Sequence, residues 1–170
     1  MDYQERFERL SNLLRTEGLE ALAVLPGPNL FYLTGLSFHL MERPVVGLFS
    51  AGAPPRLILP EFEQPKAEAA AGALELFSYG EQEGASLSAF QAGLSGIPAD
   101  GHAVAVEPLR ARFHELGLLQ AASPHTRLVS GASLLASLRM AKDSAELAAI
   151  RQAIEIAERA MAQTVPLIRL

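Results

Sequence analysis

Leu19-Glu20-Ala21-Leu22-Ala23-Val24-Leu25-Pro26-Gly27-Pro28-Asn29-Leu30-Phe31-Tyr32-Leu33-Thr34-Gly35 is the stretch on which the fold turns. Its first seven residues are apolar except for Glu20, the pattern of a strand covered on both faces. Pro26 and Pro28 lack the N–H that a sheet ladder needs, and Gly27 permits a sharp reversal, so the strand stops at Leu25. Asn29 is then placed to cap a single helical turn through Leu33.

Upstream, Tyr3, Phe7, Leu10 and Leu14 recur at helical spacing and predict an amphipathic helix over Asp2 to Glu17. Asp2 with Glu5 makes a capping-box-like start, and Gly18 supplies the left-handed residue that ends the helix. Downstream, strands are expected at Pro44 to Ser50, Arg56 to Leu59, Leu74 to Ser78, Ala103 to Glu107 and Thr126 to Val129. Helices are expected at Glu61 to Ala71, Ser86 to Leu94, Leu109 to Ala121 and Ala132 to Leu138. This alternation is that of a layered α/β fold. The short turn Ala51-Gly52-Ala53-Pro54-Pro55 suits a hairpin, so one strand pair is antiparallel and the sheet is mixed.

After Met140 the pattern changes. Asp143 with Glu146 opens the longest helix, and Leu147, Ile150, Ile154, Ala157, Met161 and Val165 line one face of it. That face is still apolar at Pro166-Leu167-Ile168-Arg169-Leu170, so it is expected to pack against a further domain. The expected division is therefore one domain over 1–138 and, over 139–170, a linker and first helix leading elsewhere.

Composition removes several classes of function. The 170 residues suit one domain, and the absence of cysteine excludes a disulfide framework and thiolate metal sites. A net charge of −5 with scattered Lys and Arg argues against nucleic acid as a partner. The apolar runs fall far short of the roughly 20 residues that span a bilayer. The first residues lack an export pattern, so the expected location is cytoplasmic with no membrane partner. His39, His102, His114 and His125 are widely separated, and no metal-ligand set, phosphate loop or nucleophile elbow is present. Most acidic residues fall on expected solvated helix faces. The chain is therefore expected to hold no catalytic residue and no metal.

The pattern Asn29-x-x-Tyr32-Leu33-Thr34-Gly35, following a buried strand that ends in proline, resembles the N-terminal domain of the creatinase/prolidase family. Leu138-Arg139-Met140-Ala141-Lys142-Asp143-Ser144-Ala145-Glu146-Leu147 resembles that family's junction with its catalytic domain, and Val106-Glu107-Pro108 resembles a strand end between the two. The resemblance implies a mixed, about six-stranded sheet with helices on both faces, of ribonuclease H-like type. It implies a following "pita-bread" catalytic domain with two divalent metal ions, manganese, cobalt or zinc, whose ligands all lie beyond Leu170. It also implies a homodimer in which this domain caps the partner's active site, and short proline-containing peptides as substrates of an Xaa-Pro dipeptidase or aminopeptidase.

In that family the loop after the Tyr-Leu-Thr-Gly pattern often reaches the active site, and here it is Leu36 to Arg43. The resemblance thus implies substrate contact in trans by Phe38, His39, Glu42 and Arg43, with Arg43 offering a fork for a carboxylate. His39 and Arg43 are expected to narrow specificity toward short peptides. Phe31 and Tyr32 are expected to pack beneath the loop, and Arg139 and Lys142 to bind helix carbonyls or the next domain. Two other readings stay open: a stand-alone peptide-binding or regulatory module, and the first domain of a metal-free creatinase-like C–N hydrolase.

Overall fold

Alternation along the strands sorts side chains to two faces, and helical stripes cover both. The computed structural model describes residues 3–69, 74–98 and 102–168. Three expectations lie outside the described residues: Asp2 as a cap, the end of the third helix at Ala70 and Ala71, and the terminal Arg169 and Leu170. In α1 (Tyr3–Glu17) the positions Leu10 and Leu14 are fully buried, and Gly18 ends the helix with φ 64° as expected. The chain then runs through β1 (Ala21–Val24), α2 (Pro28–Thr34), β2 (Val46–Ser50), β3 (Arg56–Pro60), α3 (Gln64–Glu68) and β4 (Glu75–Tyr79). It continues through α4 (Ala85–Leu94), β5 (Ala103–Val106), α5 (Phe113–Ala122), β6 (Arg127–Ser130) and α6 (Ala132–Met140).

The six strands form one mixed sheet in the order β4-β3-β2-β1-β5-β6. Only β2 runs against its neighbours: it pairs antiparallel with β1 and β3, while β3–β4, β1–β5 and β5–β6 are parallel. Every residue of β1 is buried, as its unbroken apolar run predicts for a central strand. Leu22 and Val24 face Leu10 and Leu14 of α1, Leu30 of α2 and Leu134 and Leu138 of α6. Ala21 and Ala23 face the other way, toward Phe90 of α4 and Leu119 of α5. The fold is thus α/β with helices on both faces, and the hairpin through Gly52 is the antiparallel corner.

Three expectations need correction. Asn29 does not cap α2. Gly27 precedes the helix, Pro28 fills its first position without an N–H to satisfy, and the Asn29 amide is used elsewhere. The expected helix from Glu61 is a 3-10 turn (Glu61–Glu63) before α3, since Pro65 suits only a first turn. The helix expected from Leu109 starts at Phe113, because the Glu107 carbonyl accepts the Ala111 N–H in an irregular turn first.

Contacts group Asp2–Leu138 as one compact unit, and Arg139–Leu170 belongs to a second. In the second, α7 (Ser144–Thr164) opens as expected: the Asp143 carboxylate accepts the Glu146 N–H at 2.7 Å, and the Glu146 carboxylate accepts the Asp143 N–H at 2.9 Å. No residue of α7 is buried, and its stripe of Leu147, Ile150, Ile154 and Met161 is exposed. The Lys142 ammonium donates to the carbonyls of Arg139 and Met140, an expected helix-end role. No helix among the described residues is long and apolar enough to cross a membrane.

Candidate functional site

Parallel pairing of β1 with β5 brings the ends of these two central strands side by side, and a buried carboxylate joins them. Glu107, 3% exposed, follows β5. One of its oxygens accepts the Leu25 N–H at 3.1 Å, and the other accepts the Asn29 side-chain amide at 2.6 Å. Burying a carboxylate is costly unless its oxygens are hydrogen-bonded, and here each oxygen has a donor. Arg110 adds a second strap, donating to the Pro26 carbonyl at 2.9 Å. Gly27 stands in this turn at φ 154°, a conformation that side-chain-bearing residues rarely adopt, and the Arg110 guanidinium occupies the space beside it.

The strapped turn launches α2, which ends at Gly35 with φ 73°. A Cβ there would meet the Tyr3 hydroxyl at 2.5 Å, so α1 packs directly on this glycine. Thr34 closes the motif: its hydroxyl donates to the Leu30 carbonyl and accepts the Leu36 N–H. Tyr32 is buried, whereas Phe31, expected to pack beneath the loop, is exposed. α2 presents its opposite side to the core.

The loop Leu36–Arg43 follows, and it holds the four expected contact residues in different settings. Phe38 is 6% exposed and packs in the core, with the Lys66 ammonium 4.8 Å from its ring centre. His39, Leu40 and Glu42 are exposed. Arg43 grips Glu81 bidentately, Nε at 2.9 Å and Nη2 at 3.0 Å, and reaches Glu42 at 3.0 Å. The hydrogen bond from Arg43 holds the Glu81 carboxyl below its ordinary range and raises the Arg43 guanidinium. The Arg43 guanidinium is thus paired with two exposed protein carboxylates.

Two further residues hold the loop. The Tyr79 hydroxyl donates to the Pro44 carbonyl at 2.7 Å, and burial pushes this phenol up. Arg112 donates to the Met41 carbonyl at 2.6 Å and is itself held by Glu115. Neither residue belongs to a sequence motif that marks a site. The available signal was the Arg112-x-x-Glu115 spacing at a helix start, the place of a capping box.

Beyond the hydrogen bonds, exposed apolar groups gather at this end of the sheet. Among the described residues of the first unit, the exposed large hydrophobics are Phe31, Leu40, Phe62, Leu109 and Phe113, the last two 94% and 91% exposed. All lie in segments that leave β1, β3 and β5 or enter the antiparallel β2, which places them at one end. Phe113 also lines an open apolar hollow of about 610 Å³, together with Val106, Leu116 and Leu128 among others. No group of three or more metal-ligating side chains comes together among the described residues.

The sequence model of the creatinase/prolidase N-terminal domain matches residues 6–141. No curated protein sequence matches the chain. Among solved structures, a prolidase from Thermococcus sibiricus is similar with a TM-score of 0.84 and 22% identity, over 98% of this chain and 44% of that one. Dipeptidase PepE from Mycobacterium ulcerans gives 0.80 and 24%, over 95% and 43%. The creatinase/prolidase N-terminal domain of an X-Pro dipeptidase from Streptococcus pyogenes gives 0.69 and 17%, over 78% of this chain and 98% of that one. The chain thus spans less than half the length of the first two.

Proposed function

This chain belongs to the creatinase/prolidase N-terminal domain family, matched over residues 6–141, and from that premise we propose that it dimerises and caps the active site of an Xaa-Pro metallopeptidase. The observation that carries this reading is the collection of Phe31, Leu40, Phe62, Leu109 and Phe113 at the end of the sheet that also bears the loop Leu36–Arg43. Exposed apolar side chains at one end of a sheet suit a protein interface. A loop at the edge of such an interface can face a partner's cleft. The full protein is a prolidase-type hydrolase on this reading, and the similar prolidase and dipeptidases support it.

The proposed division of labour is supported by which loop side chains are exposed and which are paired. His39 and Glu42 are the exposed polar groups offered to a peptide's ends, Arg43 shapes the loop through Glu81 and Glu42, and Phe38 anchors it in the core. The described residues do not fit a metal site. The two divalent ions, manganese, cobalt or zinc, are assigned to a catalytic domain following this one, and α7 is the segment leading there. The enzyme is proposed to be a cytoplasmic homodimer acting on short proline-containing peptides.

The test uses the product of the complete reading frame. His39→Ala and Glu42→Ala are expected to raise KM for an Ala-Pro dipeptide more than for a longer Xaa-Pro peptide, because only a short substrate brings both termini near the loop. Equal effects on both would overturn the capping role.

A further inference from the structure

We propose that Arg112 is a positioning residue that sets the conformation of the loop Leu36–Arg43 from a different element of the fold. The inference concerns loop geometry, and its consequence for catalysis rests on the capping reading above. The loop is pinned at its ends: Leu36 and Phe38 are buried on one side, and the Tyr79 hydroxyl holds the Pro44 carbonyl on the other. Between these, His39 and Leu40 project outward; Arg43 anchors the loop's last residue to Glu81, and the Met41 carbonyl next to Leu40 accepts a 2.6 Å bond from Arg112 Nη2. Arg112 lies 71 residues from Met41, at the start of α5.

What makes Arg112 a fixed strut is Glu115. This carboxylate has no solvent exposure, accepts Arg112 Nε at 2.8 Å and is also bonded by Nη2. A planar guanidinium gripped through two of its nitrogens has its remaining direction decided, so its Nη2 points at Met41. A lysine has no such fork. The pair also serves α5, since the other Glu115 oxygen accepts the Arg112 backbone N–H at 3.0 Å. That second role uses only the backbone of residue 112, so side-chain truncation separates the two.

The experiment is amide hydrogen exchange on the 170-residue chain, comparing wild type with Arg112→Ala and with Arg112→Ala/Glu115→Gln. The double variant removes the buried charge while keeping an oxygen for the helix cap, which guards against simple unfolding. In both, exchange across residues 36–43 is expected to quicken on the order of tenfold, the loss expected for one charge-assisted bond, while β2 keeps its protection. Arg112→Lys is expected to fall between. An unchanged loop in the folded double variant, with only α5 altered, would overturn the proposal. In the full-length product, a raised KM for Ala-Pro with a smaller change in kcat is expected. Unchanged kinetics beside a loosened loop would leave the positioning role standing and overturn the capping reading.

Discussion

Asn29 donates its side-chain amide to Glu107 at 2.6 Å across 78 residues of sequence. Two pieces of sequence that each resemble the family separately are halves of one contact. It ties the first turn of α2 to the end of β5, beside the Leu25 N–H that ties the end of β1 to the same carboxylate, and so fixes the direction in which α2 leaves the sheet.

Asn29→Ala should lower the unfolding free energy by about 1.5–3 kcal/mol, the range for a hydrogen bond to a charged group, because it leaves a buried carboxylate oxygen short of a donor. Asn29→Asp should cost more, since it sets two carboxylates in contact. Urea denaturation measures both, and a loss below about 0.5 kcal/mol for the alanine variant would mean that solvent replaces the amide.

Two glycines separate backbone strain from packing. Gly52 (φ 87°) has open space where a Cβ would go, whereas at Gly35 (φ 73°) a Cβ meets Tyr3. Gly52→Ala should cost roughly 1–2 kcal/mol from the left-handed backbone alone. Gly35→Ala should cost clearly more in the same thermal melts, and equal costs would show that Tyr3 moves aside freely.

Acid should loosen the Arg112–Glu115 strut. Burial alone would raise the Glu115 carboxyl, but hydrogen bonds from the Arg112 side chain and from backbone N–H groups outweigh it and hold it below the ordinary value of 4.5. A carboxyl lowered by folding contributes stability fully present above its unfolded pKa and lost as pH falls through the folded one. Stability measured from pH 7 downward should therefore be flat until about the ordinary carboxylate range and fall below it. Glu115→Gln should flatten part of that fall.

The stripe on α7 is exposed, so substitutions there should not matter to this chain's own stability. Ile154→Asp, at an exposed position, is expected to change the unfolding free energy by less than about 0.5 kcal/mol. A larger loss in a denaturation curve would show that α7 is packed within the chain.

Features with short-range causes were legible in the sequence. The unbroken apolar run of β1, the Gly18 stop and the Asp143–Glu146 box each act through neighbouring residues, and each stands where expected. The site was less legible because its bonds are long-range. Arg43 is matched by Glu81, 38 residues away, and Arg112 by Met41, 71 away. An isolated arginine carries no sign of which carboxylate or carbonyl folding will bring to it. Asn29 was misread for the same reason, since a cap is the local use of an asparagine and its actual partner is distant.

The decisive measurement is hydrolysis of Ala-Pro by the product of the complete reading frame, with manganese, cobalt or zinc supplied. Release of free proline by a dimeric protein is expected. A folded product that leaves Ala-Pro intact with each of these metals would contradict it and leave this chain as the first domain of a different kind of protein.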